Sequence, residues 1–162
     1  MPLLSGQDAE LARYHAARLV QTARRLPAVP THGDAQPKNF LWDSGYRRLA
    51  LIDFERAEPG PAVRDLVRLE HGAWDGRPSL RHAFLDGYGR ALAADEESAL
   101  RDLAAPDAVS AIQWGFGNNG TDTMTGGYRT LVRLRLAAPV SREPDNPVGR
   151  ADPGCFPARH RA

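Results

Sequence analysis

Two polar clusters stand at the ends of a short apolar stretch. The first is Thr31-His32-Gly33-Asp34-Ala35-Gln36-Pro37-Lys38-Asn39; the second, Ile52-Asp53-Phe54-Glu55, brings Asp53 fourteen residues after Asn39. Between them lie the apolar runs Phe40-Leu41-Trp42 and Leu49-Ala50-Leu51-Ile52, parted by Asp43-Ser44-Gly45. Apolar runs of this length around such turn residues predict a β-hairpin. A hairpin returns the chain on itself, so Asp53 can face the loop that holds Asp34 and Asn39.

Those residue types at that spacing suit one kind of chemistry. Phosphoryl transfer asks a protein chiefly for positioning and for neutralisation of charge. A carboxylate must accept the hydrogen bond of the attacking hydroxyl, and oxygen ligands must hold Mg²⁺ against the ATP phosphates, because hard cations prefer carboxylates and amide carbonyls. Asp34 fits the first role, and Asn39 and Asp53 fit the second. A polar turn flanking an ordinary hairpin is the plain alternative for all three.

Around this unit the periodicity is helical. Ser5 with Asp8 makes a capping box for a helix from Gly6 to Leu26, with Leu11, Tyr14, Leu19, Thr22 and Leu26 on one broad face and Pro27 and Pro30 ending it. Upstream of His32 no strand is expected. From Pro61 onward the chain reads as helix, with Val63, Leu66, Val67 and Leu69 apolar. Further helices are expected over 79–88, 95–104, 107–115 and 121–136, the last weakened by Gly126-Gly127. The five prolines between Pro139 and Ala162 mark a disordered tail, which leaves residues 1–138 as one domain.

Composition narrows the class. Hydrophobic residues are 42% and charged residues 25%, no run is long enough to span a bilayer, and a lone Cys155 cannot form an internal disulfide. A cytoplasmic protein is expected. A net charge of +1 gives no reason to expect nucleic acid or an anionic membrane as partner. Of the 21 basic residues only Lys38 is a lysine.

The order H-G-D-x-x-x-x-N, a hairpin, I-D-F and G-P-x-x-x-D-L, running from His32 to Leu69, resembles the aminoglycoside phosphotransferase and choline-kinase-like family, relatives of the protein kinases. The resemblance implies a mostly α, protein-kinase-like C-terminal lobe with a small β-hairpin. It implies a small-molecule kinase that passes the ATP γ-phosphate to a hydroxyl, with Asp34 as catalytic base, Asn39 and Asp53 as Mg²⁺ ligands, and His32 and Asp65 as props of the catalytic loop. Gln36 stands where many members have histidine and protein kinases have lysine, which disfavours a protein kinase.

Such kinases also carry an N-terminal β-lobe with a phosphate-covering loop and an ATP-anchoring lysine. Neither feature occurs upstream of His32, so that ATP-binding lobe is expected to be missing and the ATP-binding residues are not named. The expected consequences are little turnover by this chain alone and self-association through the face the lobe would cover. A non-catalytic remnant that keeps the acceptor side is the competing function, and a metal-dependent hydrolase ranks behind both. Trp74, Trp114 and Phe116 are assigned to the core, Lys38 to solvent, Asp95-Glu96-Glu97 to a helix first turn, and His71 and His82 to no metal site. Asp65→Ala is expected to destabilise, and Asp34→Ala to leave stability nearly unchanged.

Overall fold

The computed structural model describes residues 3–137. In chain order the elements are α1 (Gly6–Ala23), β1 (Ala28–Thr31), β2 (Phe40–Asp43), β3 (Arg48–Leu51), β4 (Glu58–Pro61), α2 (Pro78–Tyr88), α3 (Ala94–Gly117) and α4 (Thr121–Ala137). Short 3₁₀ turns occupy Pro37–Asn39 and Ala62–Asp65, and a π-helical turn occupies Leu69–Ala73. The tail expected at 139–162 and the domain end at 138 lie outside the described residues. No helix among the described residues is long and apolar enough to cross a membrane.

Ser5 starts α1 through the capping interaction read from the sequence: its hydroxyl accepts from the Asp8 N–H at 3.1 Å and donates to the Asp8 carboxylate at 2.6 Å. The inward face is the expected one at Leu11, Leu19, Thr22 and Leu26, which pack against or lie in the core, and departs from it at Tyr14. His15 and Thr22 are buried, whereas Tyr14 is 57% exposed. His15 can turn inward because Asp102 of α3 meets its Nδ1 at 2.8 Å, and Arg18 donates to the same carboxylate. A buried polar ring needs such a partner, and the partner lies 87 residues away.

The expectation of no strand before His32 is corrected by β1. It pairs antiparallel with β4, with Pro30 opposite Pro59 and Ala28 opposite Pro61. Prolines donate nothing to a ladder, and this register gathers them on alternate pairs. Val29↔Gly60 and Thr31↔Glu58 are left free to exchange the hydrogen bonds. The hairpin forms as expected, β2 against β3, with Asp43 Oδ1 accepting from the Gly45 and Tyr46 N–H groups at its turn. Phe40 at its start packs against the core, but its other apolar residues are largely outward: Leu41, Trp42 and Leu49 are each more than half exposed.

Pro61 closes β4 and does not open a helix, so the helix expected from there is also corrected. The chain that follows makes only the 3₁₀ and π turns, since the Asp65 carboxylate is drawn back to the His32–Gly33 backbone. Two further helices, expected on either side of Pro106, are one continuous α3. Pro106 cannot donate to the Asp102 carbonyl, and interior proline is normally costly. Here the flanking residues Ala99, Leu100, Ala104, Ala105, Ala108 and Ile112 are all buried, and packing against α1 and α4 holds the helix through the lost bond. Gly126-Gly127 does not interrupt α4. A Cβ at Gly127 would stand 2.6 Å from the Ala108 carbonyl oxygen, so the glycine is what lets α4 lie close on α3. Trp74 is in the core as expected, at 8% exposure, but Trp114 and Phe116 are exposed on the last turn of α3.

Candidate active site

The loop between β1 and β2 is fixed from below by one carboxylate. Asp65 Oδ2 accepts from the His32 N–H and Oδ1 from the Gly33 N–H, both at 2.7 Å. Gly33 has φ +77°, and a Cβ there would collide with the Arg56 carbonyl oxygen. Glycine is therefore required twice over, for its left-handed backbone and for the close approach of the chain beyond Asp53.

His32 joins the two polar clusters. Its Nδ1 accepts from the Asp34 N–H at 3.2 Å, which leaves Nε2 to carry the proton and donate to the Ile52 carbonyl at 2.8 Å. The ring is thus the neutral Nε2–H tautomer, and Phe54 packs on it edge-on. Ile52 is held from its other side as well, its N–H donating to the Asn39 carbonyl at 3.0 Å. So Asp53 follows directly on a residue clamped by both His32 and Asn39. The hairpin brings the clusters together, and these contacts set their register.

Asp34 is only 7% exposed and heavily engaged. Gln36 Nε2 donates to its Oδ1 at 2.7 Å, Asn39 Nδ2 to its Oδ2 at 3.2 Å, and Lys38 Nζ stands 3.5 Å from Oδ2. Arg68 pairs with Oδ1 through Nη1. The Asp34 carboxylate is therefore a structural hub as well as a candidate base, and its contacts argue against the expectation that Asp34→Ala leaves stability nearly unchanged. Lys38 is placed in solvent by its 63% side-chain exposure, with the Asp34 contact added.

Asn39 is buried and spends its amide nitrogen on the Asp34 carbonyl at 2.8 Å, so its Oδ1 remains as an oxygen donor. Asp53 is exposed and sits at φ +70°, a strained conformation for a residue with a side chain. Two hard oxygen donors on neighbouring backbone fit a Mg²⁺ ion that takes its other ligands from water and phosphates. Among the described residues no group of three or more His, Cys, Asp or Glu side chains forms a closed metal cage.

Arg68 escaped the sequence reading. It is the one charged residue in the run Leu66-Val67-Arg68-Leu69, and that interruption was the available signal. Its Nε also reaches Asp107 Oδ1 of α3 at 3.2 Å. A cavity of ≈ 400 Å³ opens beside it, lined also by Gly33, Arg56 and Arg64. A larger cavity, ≈ 1240 Å³, lies among α1, the π turn, α3 and α4 and includes none of the five residues named from the sequence. His71 lines it, and burial pushes that imidazole below the usual histidine range. Near the start of α3 the Arg90 guanidinium, hydrogen-bonded to Glu96, holds its carboxyl below the usual carboxylate range.

The pattern described as the phosphotransferase enzyme family matches residues 3–103, a stretch that contains all five of those residues. No curated protein matches the chain.

Proposed function

The chain belongs to the phosphotransferase enzyme family, and we propose that its loop and hairpin form the catalytic side of an ATP-dependent small-molecule kinase acting on a hydroxyl. The observation that supports this most is the His32 ring, which hydrogen-bonds to the Asp34 N–H and the Ile52 carbonyl and so ties base to metal strand. Asp34 accepts the hydrogen bond of the acceptor hydroxyl and takes its proton as the new O–P bond forms. The bond from the γ-phosphorus to the bridging oxygen breaks in the same displacement, giving ADP and a phosphomonoester. Asn39 Oδ1 and the Asp53 carboxylate would hold Mg²⁺, which when bound neutralises charge on the phosphate oxygens. Gln36 and Asn39 fix the orientation of the Asp34 carboxylate, and Asp65 fixes the backbone that carries it.

Titration with Mn²⁺ as a paramagnetic probe tests the metal side without requiring turnover. Binding should be weak in the chain alone, because two protein ligands leave most of the shell to water, and weaker still in Asp53→Ala. Equal binding by the two proteins would remove Asp53 from the site.

A further inference from the structure

The cavity beside Arg68 is lined by arginine more than by any other charged residue. Arg56, Arg64 and Arg68 face it, against the two carboxylates Glu58 and Asp107. Arg64 is paired with Glu58, and Arg68 is shared between Asp34 and Asp107. Arg56 has no carboxylate partner among the described residues, and it is exposed. The three lining guanidinium groups outnumber the two lining carboxylates, and Asp34 on Arg68 balances the charge until that ion pair opens. An anion would meet three guanidinium groups, which bind carboxylate and phosphate oxygens by paired N–H donors.

Arg68 adds a second argument. Arg68 and Gln36 both engage Asp34 Oδ1 while Asn39 donates to Oδ2, so an acceptor hydroxyl competes with these donors for the carboxylate, and Arg68 is the charged one among them on Oδ1. Swinging Arg68 away without a substitute would leave a half-buried guanidinium short of charge. Asp107 anchors one side of it, through Nε, so the other side is free to change partner.

We propose that this cavity is the acceptor subsite and takes a hydroxylated molecule bearing a carboxylate or phosphate, whose anion replaces Asp34 as the partner of Arg68. The proposal rests on Asp34 being the base of a phosphotransferase. Acceptor recognition and release of the base are then one event: a neutral or cationic alcohol leaves Arg68 on Asp34, and an anionic one removes it. Arg68 is a positioning residue in this scheme, and Arg56 supplies the unpaired charge that favours entry.

Calorimetric titration of the whole chain, without ATP or metal, is the test. The probes are D-glycerate and glycerol 3-phosphate, with glycerol and spermidine as neutral and cationic comparisons. At least one anionic probe should bind, and whichever does identifies the anion; glycerol and spermidine should bind at least tenfold more weakly. Arg56→Gln, at an exposed position, should weaken the anion about tenfold. Asp34→Asn should tighten it, because Arg68 loses its competitor; a purely structural role for Arg68 gives no such gain. The inference is overturned if neither anion binds, if glycerol or spermidine binds as well, if Arg56→Gln binds undiminished, or if Asp34→Asn does not tighten. The Mn²⁺ titration reads a different group of residues, so loss of the metal assignment and loss of the anion site are separable results.

Discussion

Replacing Asp65 by alanine removes one side chain and strands two backbone donors. Its oxygens accept from the His32 and Gly33 N–H groups at 2.7 Å each. His32 is 3% exposed, so its N–H has no route to water, whereas the less buried Gly33 can recover part of its loss by hydration. A stranded buried donor costs about 1–3 kcal/mol, which puts Asp65→Ala at about 2–4 kcal/mol for the pair. Asp34→Asn is the informative comparison. It keeps the shape and one acceptor oxygen, and Arg68 retains Asp107, so the loss should be about 1–2 kcal/mol. Urea melts of the two variants give the ranking, with unchanged m-values showing that stability is what moved. Hydrogen exchange adds a local check, because the His32 and Gly33 amides should lose protection selectively in Asp65→Ala. An Asp65→Ala protein as stable as Asp34→Asn, or one with both amides still protected, would refute the bracing role.

Glycine substitutions separate backbone strain from collision. Gly33→Ala meets both a φ of +77° and the Arg56 carbonyl and should cost about 2–4 kcal/mol, while Gly76→Ala, at φ +67° with nothing within 4 Å, should cost about 1 kcal/mol by thermal or urea melts; equal losses would remove the collision from the account. His71 carries a pH dependence with a definite sign. Its folded pKa is depressed by burial, so the stabilisation is complete above its ordinary value of 6.5 and is lost as pH falls through the folded value. Urea midpoints from pH 7.5 down to 5 should therefore fall more steeply in the wild type than in His71→Gln, and parallel slopes would contradict it.

What could be read in advance was local. The hairpin that separates Asp34 and Asn39 from Asp53 in sequence was legible because its turn residues are explicit and lie within a short spacing. The capping of α1 by Ser5 is legible for the same reason. The β1–β4 ladder was hidden because it joins two proline-bearing tetrapeptides that have no strand pattern of their own and exist as strands only in each other's presence. The continuity of α3 through Pro106 was hidden by a sound local rule, overridden by burial on both sides of the break. His15 and Arg68 depend on carboxylates far away in sequence, Asp102 and Asp107, and no window of the chain contains both partners.

The ladder between β1 and β4 also orders events in time. Its innermost pair, Thr31↔Glu58, encloses the loop of Asp34 and Asn39, the hairpin and Asp53 within one closed excursion of the chain. The loops on either side of the hairpin cannot reach their final register until the two ends have met, and closing the excursion costs entropy before the contacts of Asp65 and His32 repay it. The hairpin, whose ends are near in sequence, can form early and alone. The arrangement of Asp34, Asn39 and Asp53 should therefore be among the last parts of the molecule to be completed during folding and the first to be lost on unfolding, with the helical body assembled well before it.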